Sequence, residues 1–280
     1  MAGEQVILVT GCSSGIGRAI ALEAARRGHR VFATARNRAD LADLEKPEKL
    51  AALTLDVTDP VSIRAAVAEV LSRAGRLDAL VNNAGYGQYG SVEDVSAEEW
   101  RAQFDVNFFG AVEMTRAVLP AMRARKTGTV VMVSSVAGKL AVPFAAPYSA
   151  TKHALEAVAD ALRVELSAFG IRVVLVEPGP IETGFRERAR SHVAPLLGRP
   201  GPYRELYAGA EGAMDGDFSK GGGTSEDVAR AVLKAIESSR PRARYAVTTM
   251  AKLLIPVTRL LPDRWIDALL RKSLKVPSRP

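Results

Sequence analysis

The chain has 280 residues, 48% of them hydrophobic, with one cysteine and a formal net charge of +7. That content can fill a three-layer core, and single α/β domains commonly reach about 250 residues; a lone cysteine excludes an intramolecular disulfide and suits a reducing compartment. Residues 241–280 carry nine Lys or Arg against Asp263 and Asp267, a balance of +7, so residues 1–240 sum to zero and the charge says little about the body of the chain.

Gln5-Val-Ile-Leu-Val-Thr10 reads as a short buried strand, β-branched and bounded by polar residues. It runs into Gly11-Cys-Ser-Ser-Gly15-Ile-Gly17 and a helix over 18–27 that Gly28 can close. Glycine turn and helix amides together present unpaired N–H donors and a positive dipole end to a pyrophosphate. The spacing is G-x-x-x-G-x-G, unlike the general G-x-G-x-x-G loop; a purely structural turn is the alternative, and Cys12 reads as a small residue filling it. A second strand near 30–35 ends in Ala35-Arg36. An NAD site usually places Asp or Glu here for the ribose 2′-OH. A carboxylate would repel a 2′-phosphate, whereas a guanidinium binds it bidentately. Arg36 and Arg38 also read as surface residues, so the missing acid carries the greater weight and predicts NADP(H) over NAD(H). A third strand near 52–56 ends in Asp56-Val57; a helix cap ahead of Pro60 is the other reading of Asp56, although Thr58 or Asp59 suits that better. A fourth, near 77–82, leads into Asn82-Asn-Ala-Gly85, whose small residues allow close backbone approach.

A long helix is expected over 97–123, opened by a Ser96–Glu99 capping box. Asn107 lies inside it, where asparagine is unfavourable without a partner; a polar residue on the helix face is the plain reading. The fifth strand, near 129–134, runs into Ser134-Ser135, where a doubly wound sheet opens its ligand crevice. Thirteen residues beyond Ser135 come Tyr148 and Lys152, four apart on a helix over 148–169 and hence on one face. A phenol titrates near pH 10; an ammonium one turn away favours the phenolate and makes the tyrosine a workable acid/base. His153 points away from that face and reads as structural. After a sixth strand near 172–177, Pro178-Gly179-Pro-Ile-Glu-Thr183 supplies a turn and a hydroxyl; Thr183 could also cap a helix through 184–190. Gly221-Gly-Gly223 is a joint ahead of a helix capped by Thr224 or Ser225, and a seventh strand follows near 243–248. This alternation predicts an α/β fold. It would be a single doubly wound Rossmann-type domain over 1–248, with a mostly parallel seven-stranded sheet and a substrate loop at about 180–224.

Residues 249–280 form a basic amphipathic extension. Leu253-Leu-Ile255, Leu260-Leu261, Trp265-Ile266 and Leu269-Leu270 alternate with basic residues and are broken by Pro256 and Pro262. Packing over the substrate cleft or a subunit is the favoured reading, with peripheral docking on an anionic membrane next. Nucleic acid is not expected, because no binding motif accompanies the charge. No apolar run spans a bilayer and no signal peptide precedes the first strand, so a cytoplasmic protein is expected, with peripheral membrane contact as the variant. No His/Cys/carboxylate cluster has ligand spacing, and no metal is predicted.

Thr10-Gly11 through Gly17, Asn82-Asn-Ala-Gly85, Asn107, Ser135, Tyr148-x-x-x-Lys152 and Pro178-Gly179 fall in an order that resembles the classical short-chain dehydrogenases/reductases over about residues 4–248. The Cys-Ser-Ser loop and long extension are most similar to the 17β-hydroxysteroid/retinol dehydrogenase-like branch. The resemblance implies a homo-oligomeric oxidoreductase interconverting a carbonyl and an alcohol with a nicotinamide dinucleotide. It implies that Ser135, in preference to Ser134, bonds the substrate oxygen; that Tyr148 gives or takes the proton; that Lys152 lowers the tyrosine pKa and holds the nicotinamide ribose; and that the Asn107 carbonyl holds a water linking Lys152 to solvent. The implied cofactor contacts are Gly11, Ser13, Ser14, Gly15, Ile16, Gly17, Arg36, Asp56 with Val57 at the adenine, Asn82, Asn83, Ala84, Gly85, Tyr148, Lys152, Pro178, Gly179, Ile181, and Thr183 on the carboxamide. Candidate cleft walls (Leu140, Val142, Pro143, Phe144, Phe185, Val193, Pro195, Leu196 and Leu197) lean toward a hydrophobic alcohol or ketone. The alternative is a nucleotide-binding regulatory or scaffold protein without turnover.

Overall fold

The short apolar runs become seven strands: β1 (Val6–Val9), β2 (Arg30–Ala35), β3 (Leu50–Thr54), β4 (Ala79–Asn82), β5 (Gly128–Val133), β6 (Ile171–Glu177) and β7 (Arg244–Ala246). A computed structural model describes residues 3–45, 49–182, 201–207, 222–258, 260–274 and 276. The strands lie in the order β3-β2-β1-β4-β5-β6-β7. Every neighbouring pair is parallel, which sharpens the expected "mostly parallel" sheet. The order reverses between β1 and β4, the switch point at which such sheets open a crevice beyond their carboxyl ends.

Side-chain alternation divides the core between the two faces of the sheet. Leu8, Phe32, Leu80 and Met132 pack with Val70, Met114 and Leu155, from helices α2 (Pro60–Ala74), α4 (Gly110–Ala124) and α5 (Ala146–Glu165). Ile7, Val31, Val81 and Val131 pack on the opposite face with Ile20 of α1 (Gly15–Arg26) and Val232 of α6 (Ser225–Glu237). Asp59 caps α2, accepting from Val61 N at 2.8 Å ahead of Pro60, so Asp56 is not that cap. Ser96 and Glu99 make the expected box, and Thr224 with Asp227 makes another.

The helix expected over 97–123 is present, with a π turn inside it. α3 (Ala97–Phe104) passes into a π turn, Asp105–Phe109, before α4 begins. Asn107 sits in that turn, buried, with its side chain bonded to the backbone of Tyr86. At Gly110 a Cβ would lie 2.8 Å from Val57 Cγ2, so glycine lets α4 press against the end of β3. In the extension, α7 (Thr249–Thr258) lays Ala251 and Ile255 on Val136, and α8 (Asp263–Ser273) buries Leu270. Leu253, Val257, Leu260, Leu261, Trp265 and Leu269 stay exposed.

At the amino ends of the central strands Asp78 ties β1 to β4. It accepts from Val6 N at 2.8 Å and Arg76 Nε at 2.9 Å, with Arg125 Nη2 at 2.8 Å. Burial raises its pKa, but these three partners outweigh burial and hold the carboxyl below its usual value. Asp78→Asn should cost about 2 kcal/mol of stability at pH 7. Because the folded pKa is lowered, the contribution is complete above the unfolded value and disappears as pH falls through the folded one. Urea titrations should therefore show the gap between wild type and variant closing only as pH falls below about 4.

Candidate active site

The Thr10 hydroxyl joins the ends of β1 and β4. It accepts from Asn83 N and Ala84 N, both at 2.9 Å, and donates to Val81 O at 3.3 Å. Asn83 Nδ2 returns bonds to Thr10 O at 2.9 Å and Gly11 O at 3.1 Å. Two glycines make this approach possible. Gly11 has φ +72°, and a Cβ there would lie 2.8 Å from Ala84 Cα; a Cβ on Gly17 would collide with Gly11 O and Asn83 Nδ2. Ser14 stands at the N-cap of α1 without a side-chain cap bond. The neighbouring Cys12 thiol is buried, bonded to Val9 O at 3.3 Å, and pushed up to about 12 by burial, which suits a small space-filling residue.

A cavity of about 900 Å³ opens over the carboxyl edge of the sheet. Its wall brings together Gly11, Ser13, Ser14, Gly15 and Ile16 from the first loop; Arg36, Asp56 and Val57 from the ends of β2 and β3; and Asn83, Ala84 and Gly85 after β4. Ser135, Tyr148 and Lys152 complete it with Pro178, Gly179 and Ile181. Gly17 and Asn107 are not in the wall: the first shapes the loop, the second braces it from behind. Ala35 does line the cavity beside Arg36, so no acid stands at that strand end. Asp56 Oδ1 accepts from Thr58 N at 2.9 Å and Thr58 Oγ1 at 2.7 Å.

Asn82 departs from expectation. Its side chain points into the core, donating to Thr115 Oγ1 at 3.0 Å and Met132 Sδ at 3.2 Å, because strand alternation turns it away from the cavity that Asn83 reaches. Leu140, Val142 and Pro143 line the cavity as expected, whereas Phe144, at φ +62°, packs edge-on against Tyr207 with ring centroids 5.3 Å apart. Thr183, Phe185, Val193, Pro195, Leu196 and Leu197 lie outside the described residues. His153 bonds Ser149 O within its own helix.

Ser135, two residues past the end of β5, is in extended backbone (φ −167°) and accepts from Ala137 N at 3.1 Å. Its hydroxyl is hydrogen-bonded to the Tyr148 phenol, which separates it from Ser134, whose Oγ is buried under Gly138. Lys152 is 6% exposed; Nζ donates to Val133 O at 2.8 Å and lies 5.7 Å from the centre of the Tyr148 ring. Burial pushes this ammonium down to about 8, with Glu156 opposing. Tyr148 is pushed up by burial, against the Ser135 bond. The depression expected from Lys152 is therefore not the net effect here, because the ammonium is turned toward Val133 O and burial dominates the phenol. Asn107 Nδ2 donates to Tyr86 O at 2.9 Å and Thr151 Oγ1 at 3.4 Å, and Oδ1 accepts from Tyr86 N at 3.0 Å, so its side chain fastens the β4 loop to α5. The plain reading, a polar residue on the helix face, does not describe a side chain that is buried and bonded on both sides.

Sequence reasoning missed Tyr89, Met250 and Leu274 in the wall, whereas Leu254 belongs to an apolar run expected to pack over the cleft or a subunit. Tyr89 is half-buried and its phenol is raised, first by desolvation and then by Tyr148 nearby. No spacing rule connects Tyr89, Met250 or Leu274 to Tyr148, and the last two fall outside the apolar pairs that the extension displays. Among the described residues no cluster could hold a metal, and no helix is long and apolar enough to cross a membrane.

Residues 5–194 match the family model described as short chain dehydrogenase. The NADPH-dependent 3-dehydrocapnine reductase of Ornithobacterium rhinotracheale is 38% identical, over 96% of each chain. The 3-ketodihydrosphingosine reductase of Bacteroides thetaiotaomicron is 34% identical over 95% of this chain and 97% of its own, and bovine retinol dehydrogenase 8 is 36% identical over 92% and 86%. The crystal structure of a Streptomyces avermitilis short-chain dehydrogenase superposes with a TM-score of 0.79 at 36% identity, covering 99% of this chain and 98% of that one. A metagenomic short-chain oxidoreductase in complex with NADP gives 0.69 at 29% over 87% and 96%, and a Burkholderia phymatum short-chain dehydrogenase/reductase in complex with NAD gives 0.78 at 26% over 99% and 97%.

Proposed function

Since the chain belongs to the short-chain dehydrogenase family and is an oxidoreductase with retinol dehydrogenase-like relatives, we propose that it reduces a hydrophobic ketone or aldehyde, or oxidises the matching alcohol, with NADP(H) and with Tyr148 as general acid/base. The observation that carries this reading is the convergence of Ser135, Tyr148 and Lys152 on the wall that also holds the glycine loop. The residues fit a dinucleotide. Gly11 and Gly17 keep the loop free of Cβ atoms where it meets Ala84 and Asn83, and the amides of Ser13 to Gly17 open at the start of α1. These residues would hold the pyrophosphate, Asp56 and Val57 the adenine, Asn83 to Gly85 the middle of the molecule, and Pro178, Gly179, Ile181 and Thr183 the nicotinamide.

When bound, the dinucleotide supplies or accepts the hydride. Tyr148 donates its phenolic proton to the carbonyl oxygen in reduction and removes it in oxidation. Ser135 bonds the same oxygen and stabilises the charge developing on it. Lys152 carries the positive charge that favours the phenolate. Asn107 holds the β4 loop and, through its backbone carbonyl, a water leading toward Lys152. Arg36 supports NADP(H): with Ala35 at the strand end there is no carboxylate to repel a 2′-phosphate. The NADPH-dependent relative supports the same choice. Substrate apolarity rests on Leu140, Val142 and Pro143 with Met250, Leu254 and Leu274 of the extension. We assign residues 249–280 to substrate access: one face closes the cavity, while the exposed Leu253, Leu260 and Trp265 beside Lys252, Arg264 and Lys272 suit a subunit or an anionic membrane surface.

Tyr148→Phe should bind NADPH normally and lose about 100- to 10 000-fold in turnover; steady-state rates on a true substrate that match wild type would defeat the assignment. A scaffold without turnover would show NADPH binding and no rate in either protein. Ala35→Asp should lower or reverse the NADPH-over-NADH affinity ratio in direct titrations, and a wild type that prefers NADH would contradict the reading of Arg36. Removing 249–280 should leave NADPH binding intact while raising KM for apolar ketones, changing oligomeric mass or abolishing salt-sensitive binding to anionic vesicles. A truncated protein that folds and no longer binds NADPH would refute this division.

A further inference from the structure

One helical turn beyond Lys152 a second charged group is buried, and the cavity wall does not include it. Glu156 of α5 is 4% exposed, and Glu177, the last residue of β6, is 1% exposed. Lys139, from the turn after β5, reaches Glu156 Oε2 at 2.6 Å. Arg244 of β7 stands 3.2 Å from Glu156 Oε2 and 3.3 Å from Glu177 Oε1 and bonds both oxygens of Asp160 at 2.7 Å; Arg163 also holds Asp160. Three cations, Lys139, Arg244 and Arg163, are thus set against two buried carboxyls and a third at the rim. The buried pair is incompletely satisfied, since Glu156 Oε1 and Glu177 Oε1 have no hydrogen-bond donor. The two carboxyls are nevertheless within hydrogen-bonding reach of each other. Two ionised carboxylates only accept; a single proton between them turns that contact into a bond and removes the repulsion between two buried like charges.

We propose that Glu156 and Glu177 share one proton at neutral pH, and that this pair is the positioning element that keeps Lys152 charged as the pH rises. The inference rests on the roles proposed for Tyr148 and Lys152. Glu156 and Lys152 are four apart on one helix face. Gly138 packs closely over this stretch of the helix, since a Cβ there would lie 3.1 Å from both Glu156 Cγ and Lys152 O, and 2.8 Å from Ser134 Oγ. Glu177 directly precedes Pro178-Gly179 of the cavity wall. Burial strips Lys152 of its proton early and Glu156 opposes this. Glu177 is pushed up to about 7, first by burial and then by the Glu156 charge, with Lys139 and Arg244 pulling it down. As pH rises through that value the shared proton leaves to solvent. The negative charge that remains then holds the ammonium on Lys152 in the range where burial alone would remove it.

The test uses full-length wild type, Glu156→Gln, Glu177→Gln and Glu156→Asp. Infrared difference spectra between pH 6 and 8 should show a protonated carboxyl band lost from wild type and absent in Glu177→Gln. The Nζ resonance of ¹⁵N-labelled Lys152, assigned with Lys152→Met, should titrate about one pH unit lower in Glu156→Gln, the size expected of one charge a helical turn away, and return toward wild type in Glu156→Asp. The alkaline limb of kcat/KM should move the same way. No carboxyl band in wild type overturns the shared proton. Variants that lower the melting temperature but leave the Lys152 titration in place would make the cluster a structural brace and overturn the proposal. The infrared and resonance measurements need no turnover, so a failure of the oxidoreductase chemistry is seen separately, as absent rates in wild type.

Discussion

Burying the ammonium of Lys152 at the carboxyl edge of a parallel sheet costs free energy that only fixed polar groups can offset, and much of the local structure follows from that requirement. The first of these groups is Val133 O, available because β5 ends there and the chain turns out through Ser134 and Ser135. Glu156, one turn along α5, opposes the loss of the proton. Tyr148, one turn the other way, presents its ring to the same charge and its hydroxyl to Ser135. The helix is thus a ruler, with phenol, ammonium and carboxylate spaced at one-turn intervals along a single face.

A ruler is useful only if the rest of the cavity is held against it. Thr10 and Asn83 lock the β1 and β4 loops together, and Asn107 with Thr151 locks the β4 loop to α5. The π turn at Asp105–Phe109 belongs to this second lock, since it places a buried asparagine side chain opposite the Tyr86 backbone. The network is continuous from glycine loop to Tyr148, and every member lies at the carboxyl edge. Asp78, by contrast, serves the fold from the other end of the same strands.

Much of this was legible in the chain. Strand periods, glycine positions, capping boxes and the four-residue interval between Tyr148 and Lys152 are local signals, and their order conveys the sheet. Four things were not local. The π turn within the long helix is invisible because Asn107 is explained by Tyr86, twenty-one residues away. Asn82 and Asn83 are chemically identical, and only the pleat decides that one faces the core. The balance between burial and charge at Tyr148 depends on where the Lys152 ammonium points. The Glu156–Glu177 contact joins a helix to a strand end, and the sequence shows two ordinary acidic residues. The role of the extension was among the expected alternatives, but Met250, Leu254 and Leu274 reach the cavity through folding that no heptad or alternation encodes.

The central claim is that this cavity moves a hydride to carbon while Tyr148 moves a proton to oxygen. The most direct measurement follows deuterium from NADPH labelled at C4 into apolar ketones, read by mass spectrometry of the alcohol. One deuterium on the carbinol carbon for each NADPH consumed, with none delivered by Tyr148→Phe on the same timescale, is the expected result. Tight NADPH binding with no deuterium reaching any ketone, or label transferred equally well without the Tyr148 hydroxyl, would contradict the account.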